Sequence, residues 1–115
     1  MARVIRHGAV RREAFTDADV MEYARAIGQP RAMECAINYY RAWMRWGIFR
    51  PIKPIDAPTL MLWGEEDLAL EKEMTYGTGK FVRDFRIHYI PRCGHWVQNE
   101  AAGTVNELLV DFLRA

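Results

Sequence analysis

The chain has 115 residues, half of them apolar, with 16 basic against 15 acidic side chains. So even a balance excludes the broad basic surface that nucleic acid requires, and no apolar run reaches the roughly 20 residues needed to cross a bilayer. Two cysteines, Cys35 and Cys93, are too few for a disulfide framework and point to a reduced, cytoplasmic protein.

Four arginines (Arg3, Arg6, Arg11 and Arg12) precede the first acid, Glu13. No apolar stretch follows them, so they are not a secretory signal, and a transit peptide is the remaining targeting alternative. Residues 1–15 show no clear period and read as an irregular lead-in. Thr16-Asp17-Ala18-Asp19 then offers a hydroxyl cap with acid in the first turn, the start of a predicted helix. Its stripe is Val20, Tyr23, Ala24 and Ile27, and it ends at Gly28 ahead of Pro30. A second helix is predicted over 31–46, with Met33, Ile37, Tyr40 and Met44 at helical spacing and Gly47 closing it.

Residues 50–58 carry Pro51, Pro54 and Pro58, which force an extended path and mark a boundary. The chain thus divides into a helical part, 1–50, and a part built of β-α units, 51–115. Thr59–Trp63 is a short apolar run of the kind that forms a strand covered on both faces. A helix is predicted around Leu70–Met74, after which Gly77 and Gly79 loosen the chain. Arg86–Ile90 reads as a second strand, and Val105, Leu108, Leu109 and Phe112 form one face of a last helix. Strand, helix, strand, helix implies a parallel pair with a right-handed crossover. There is no internal repeat and no low-complexity tract.

Ligands of open α/β sheets bind beyond the carboxyl ends of the strands. Asp67 lies four residues after Trp63 and His95 five after Ile90, so both fall on that rim. A carboxylate that accepts the Nδ1–H of an imidazole holds its tautomer and stabilises the imidazolium formed when the other nitrogen takes a proton. Taken singly, Gly64-Glu65-Glu66-Asp67 is equally a turn whose acids favour a helix start, and Cys93-Gly94-His95 a turn with a solvated imidazole. Taken together, in order and on successive strand ends, they favour an acid–base pair. His7 and His88 have no such context and read as surface residues. Cys93 and His95 lack the further ligands of a metal site. No G-x-S-x-G or G-x-D-x-G nucleophile turn occurs in the 115 residues. On the second helix, Asn38-Tyr39-Tyr40-Arg41 places adjacent phenols about 100° apart, so one must point away from the other. Such a phenol suits an aromatic core face or, aimed into a cleft, a donor to a developing alkoxide.

From Phe15 onward these motifs resemble the C-terminal part of an α/β-hydrolase of the epoxide hydrolase group. The similarity covers the distal cap helices, the linker, and the last two strands with their helices. Asn38-Tyr39-Tyr40-Arg41 is similar to the cap motif of that group, Gly64-Glu65-Glu66-Asp67 to the turn bearing its triad acid, and Gly94-His95-Trp96 to the turn bearing its histidine. The last two motifs are shared with dehalogenases and esterases, and only the tyrosine motif favours epoxide hydrolases. The resemblance implies a partial α/β-hydrolase fold: a cap remnant over 1–50 and a β-α-β-α core unit over 51–115. It implies His95 as the general base, Asp67 as its orienting acid and Tyr40 as a donor to the epoxide oxygen, with no metal or organic cofactor. The nucleophile elbow, the oxyanion loop, the first cap tyrosine and most of the sheet have no counterpart here. A small-molecule substrate is therefore expected only when the rest of the fold completes the site, and an exposed strand edge is expected to drive self-association or docking to a complementing polypeptide. The alternative is a standalone, non-catalytic interaction module.

Overall fold

The computed structural model describes Ile5 and residues 7–114. Part of the lead-in, with Arg3 and Arg6 of its arginine group, lies outside the described residues, as does the chain start on which a transit peptide would depend.

Helix α1 spans Asp17–Ile27 and α2 spans Ala32–Ala42. Strand β1 is Thr59–Gly64, β2 is Phe85–Ile90, and α3 (Val97–Glu100) and α4 (Ala102–Arg114) complete the chain. The predicted cap of α1 is a full capping box. Thr16 Oγ1 accepts from the Asp19 amide, and Asp19 Oδ2 accepts from the Thr16 amide and hydroxyl. Those two bonds from Thr16 also hold the Asp19 carboxyl below its ordinary range. Gly28 closes the helix as expected.

The second helix does not run on unchanged to residue 46. After Ala42 the chain widens into a π-turn over Trp43–Gly47, in which the Ile48 amide bonds the Trp43 carbonyl five residues back. Its predicted apolar stripe, Met33, Ile37, Tyr40 and Met44, is exposed along its whole length. The proline segment is extended, as predicted, and Ile55 makes a parallel bridge to Val82 before β1 begins.

Strands β1 and β2 are parallel, in register from Thr59 opposite Phe85 to Gly64 opposite Ile90. The α/β class read from the sequence holds. Two-sided covering of β1 does not: side chains from Thr59 to Trp63 are half-buried, and only Gly64 is buried. Among the described residues the sheet has two strands, with no strand beyond β1 and too few helices to enclose it. The helix expected around Leu70–Met74 is a single 3-10 turn, Lys72–Thr75. There the Thr75 hydroxyl bonds the Lys72 carbonyl and the Tyr89 hydroxyl, and Gly77, at φ 81°, turns the chain away.

The described part of the lead-in is partly regular. Ile5 and Ala9 are buried, Ile5, His7 and Gly8 are helical, and a 3-10 turn spans Arg12–Ala14. The main hydrophobic cluster gathers Ile90, Cys93, Ala101 and Val105, with Leu62 and Val97 against it. It sits directly beneath the loop that follows β2.

The molecule is open for its size. A self-contained 13.4 kDa protein exposes about 6,500 Å², whereas this chain exposes 9063 Å². Its radius of gyration is 16.4 Å, against about 13 Å for a compact domain of this length.

Candidate active site

The two loops past the strand ends are stitched together by backbone. The Glu65 amide donates to the Ile90 carbonyl and the Glu66 amide to the Cys93 carbonyl, at 3.1 and 3.0 Å. Between them Gly64 sits so close that a β-carbon would collide with the carbonyl oxygens of Cys93 and Gly94. Glycine is required here by backbone-to-backbone approach.

This stitching brings the predicted pair into contact. His95 Nδ1 lies 2.9 Å from Asp67 Oδ2. The other carboxylate oxygen, Oδ1, accepts from the amides of Ala69 and Leu70 at 2.8 and 3.0 Å, which fixes the acid against its own loop. Asp67's side chain is 7% exposed, and that of His95 is 39% exposed. Burial pushes the Asp67 carboxyl up, but the hydrogen bonds from His95, Ala69 and Leu70 outweigh it and hold the group below its ordinary range. An ionised Asp67 accepts a proton-bearing Nδ1, so the Nε2 lone pair is the basic one. Nε2 has no hydrogen-bond partner among the described residues. The arrangement can take a proton from a group presented on the open side of the ring.

Trp96 anchors the histidine loop to the helical part. Its ring meets His95 at 5.4 Å, Tyr23 of α1 at 6.0 Å and Phe15 at 6.4 Å between centroids. Cys93 is buried in the core beneath, where burial first and the Glu100 carboxylate second push its thiol up, so it is a packing residue and not a nucleophile.

Tyr40 is not joined to the pair by any hydrogen bond among the described residues. It is 67% exposed on α2, and its ring meets Tyr39 edge-on at 6.0 Å. The sequence expectation that one tyrosine points away from the other fails, because both exposed rings fold toward each other from diverging positions. A surface groove of about 600 Å³ lies further along this helix, lined by Asn38, Arg41, Ala42, Met44, Arg45 and Trp46. It includes neither Asp67 nor His95. His7 and His88 are exposed, as expected. Among the described residues no group of three or more His, Cys, Asp or Glu side chains is placed to hold a metal ion, and no helix is long and apolar enough to cross a membrane.

One residue at the site escaped the sequence reading. Glu100 is 4% exposed, and its carboxylate accepts from the amides of Gly94 and Trp96, on either side of His95, and of Val10 and Arg11. An acid set among the apolar and small residues Val97, Ala101 and Ala102 is the only signal of it in the sequence.

No family profile matches the chain. Individual relatives do. It is 32% identical over 114 residues to epoxide hydrolase 2 of Caenorhabditis elegans, covering 98% of this chain and 32% of that protein. It is 36% identical over 105 residues to human epoxide hydrolase 4, covering 87% of this chain and 28% of that one. The crystal structure of an epoxide hydrolase from Bacillus megaterium, in complex with an inhibitor, superposes with a TM-score of 0.77 at 24% identity, over 97% of this chain and 42% of that one. The chain spans about a third of the length of the curated relatives it matches. Sequence and fold together place the chain among the α/β-hydrolases, with epoxide hydrolases as its relatives and the C-terminal part of their fold as the region it matches.

Proposed function

We propose that these residues supply the acid and the histidine of an epoxide hydrolase-type reaction, with the nucleophile contributed by a part of the fold outside residues 1–115. The observation that carries this reading is the 2.9 Å contact between His95 Nδ1 and Asp67 Oδ2, with Nε2 left free. In the proposed sequence a carboxylate nucleophile attacks one epoxide carbon, the carbon–oxygen bond breaks, and the oxygen leaves as an alkoxide that takes a proton from a phenol such as Tyr40. Water then attacks the resulting ester while His95 Nε2 accepts its proton. The ester carbon–oxygen bond breaks, the diol leaves and the carboxylate is restored; Asp67 stabilises the imidazolium until it gives up its proton, which returns through solvent to the phenolate. Residues 1–50 serve as cap and 51–115 as core in this scheme, in a cytoplasmic enzyme.

Tyr40, 67% exposed on α2, requires a cleft wall that the described residues do not build. The excess surface supports completion by further protein. About 2,500 Å² beyond the expectation for a closed domain is the scale of an obligate interface. The complement is a polypeptide that adds a strand beside β1 and apolar cover for the exposed helices, or a second copy of the chain. By itself the chain should turn over epoxides negligibly, since triad members act as a unit.

The bare sheet edge favours a second reading, a non-catalytic module that binds a partner strand. A serine nucleophile would move the chemistry to ester hydrolysis, and an aspartate without cap tyrosines to dehalogenation. The enzyme and interaction-module readings are separated by one chimera, in which residues 1–115 replace the matching segment of the nematode epoxide hydrolase. Epoxide-to-diol turnover that falls at least about 10³-fold in His95→Ala supports the enzyme reading. A fall of about 10² in Tyr40→Phe assigns the phenol. A folded, soluble chimera without turnover would leave the interaction module as the better account.

A further inference from the structure

The lead-in and the histidine loop are tied by two charged side chains that reach in opposite directions. Glu100, on α3, accepts the Val10 and Arg11 amides at 2.9 Å on Oε2, and on the same oxygen the Gly94 amide at 3.2 Å. Its Oε1 accepts the Trp96 amide at 3.3 Å. Arg11 answers with its guanidinium. Nε donates to the Arg92 carbonyl at 2.8 Å, and the two terminal nitrogens donate to the carbonyls of Pro91 and Glu100 at 3.2 Å. Every residue from Pro91 to Trp96 except Cys93 and His95 is thus held through its backbone by one of the two.

This segment needs holding. Arg92 has φ 54°, a left-handed conformation that is disfavoured for a non-glycine residue. Gly94 is packed so tightly that a β-carbon there would lie 3.1 Å from Glu100 Oε1 and 3.2 Å from the Gly8 carbonyl. A buried carboxylate is tolerated when several N–H donors satisfy it, and its donors here are drawn from both strands of the tie.

We propose that Glu100 and Arg11 are positioning residues for His95, a clamp through which the segment preceding α1 sets the imidazole against Asp67. The inference rests on the reading of Asp67 and His95 as an acid–base pair. It adds that the pair depends on Glu100, which follows His95 by five residues, and on Arg11, which precedes it by 84, and neither of them hydrogen-bonds a side chain of the pair. The mechanism is geometric. A hydrogen bond weakens steeply with misalignment, so a loop released from the clamp loses the 2.9 Å contact that selects the Nδ1–H tautomer.

The test is imidazole 15N NMR of the full chain at about pH 8, where neutral imidazole prevails, with the exposed His7 and His88 as internal references. Wild type should show His95 chiefly as the Nδ1–H tautomer. In Glu100→Gln and Arg11→Ala the ratio of Nδ1–H to Nε2–H should fall at least about fivefold, with His7 and His88 unmoved. Arg11→Lys should fall too, because an ammonium keeps the charge but not the fork that spans three carbonyls. Val20→Ala, which truncates a buried apolar side chain of α1, should lower the melting temperature and leave the tautomer in place. If Glu100→Gln does not fold, the two Arg11 variants decide. A His95 ratio unchanged in them, or shifted equally by Val20→Ala, overturns the proposal. A wild-type His95 without the Nδ1–H excess would instead sink the acid–histidine reading on which it rests.

Discussion

Gly64 and Asp67 each do one thing that a substitution would expose. At Gly64 the atoms a β-carbon would strike are backbone carbonyls of the histidine loop, so no rotamer change can absorb Gly64→Ala. We expect a loss of about 1–3 kcal/mol, read as a lower urea midpoint; an unchanged midpoint would mean that the loops do not meet there. Asp67 sets a pH dependence. Its folded carboxyl titrates below the ordinary value of 3.8, so its contribution to stability is present above that value and is lost as pH falls through the lower folded one. The stability difference between wild type and Asp67→Asn should therefore be flat from neutral pH to about 5 and shrink below 3.8, and a difference already vanishing at about pH 6 would contradict the assignment. Asp67 and His95 were legible in the sequence because each follows an apolar run by a fixed short distance. Glu100 was not, since its partners Val10 and Arg11 are 90 and 89 residues away.

Among the elements, the last helix was the clearest in sequence, and the start of α1 was legible too, because it depends only on Thr16 and Asp19, three residues apart. Thr16→Ala removes the box and should cost about 1 kcal/mol, measurable as reduced protection of the first-turn amides and a lower urea midpoint. Full protection in the variant would show that contacts through Trp96, not the cap, hold the helix start. Where periodicity misled, a neighbour from elsewhere in the chain was responsible. The expected helix near Leu70–Met74 shortens to one 3-10 turn because Thr75 bonds Tyr89 on β2. The described part of the lead-in is held because the Val10 and Arg11 amides bond Glu100 and the Arg11 side chain bonds the histidine loop, a pairing that no local pattern announces.

For the whole molecule the dominant fact is unfinished burial. Trp46, Phe49 and Leu68 are at least 66% exposed, and the sheet stops at two strands. A bare β-edge beside apolar surface is a template for another chain. Sedimentation equilibrium of the isolated chain should give a mass that rises with concentration above 13.4 kDa; a monodisperse monomer at high concentration would count heavily against both self-association and a missing complement.

What the sequence determined by itself was everything that depends on near neighbours. It contained the α/β class, the parallel order of the strands, and the two turns that end in Asp67 and His95, because caps, periodicity and glycine turns act within a few residues. The tertiary structure alone decided that the two turns touch at 2.9 Å, that Tyr40 makes no hydrogen bond to the pair among the described residues, and that Glu100 with Arg11 ties the segment before α1 to the histidine loop. Those outcomes turn on which backbone amides and carbonyls meet across 28 to 90 residues of chain. Sequence spacing carries no record of that distance, because it is closed by packing.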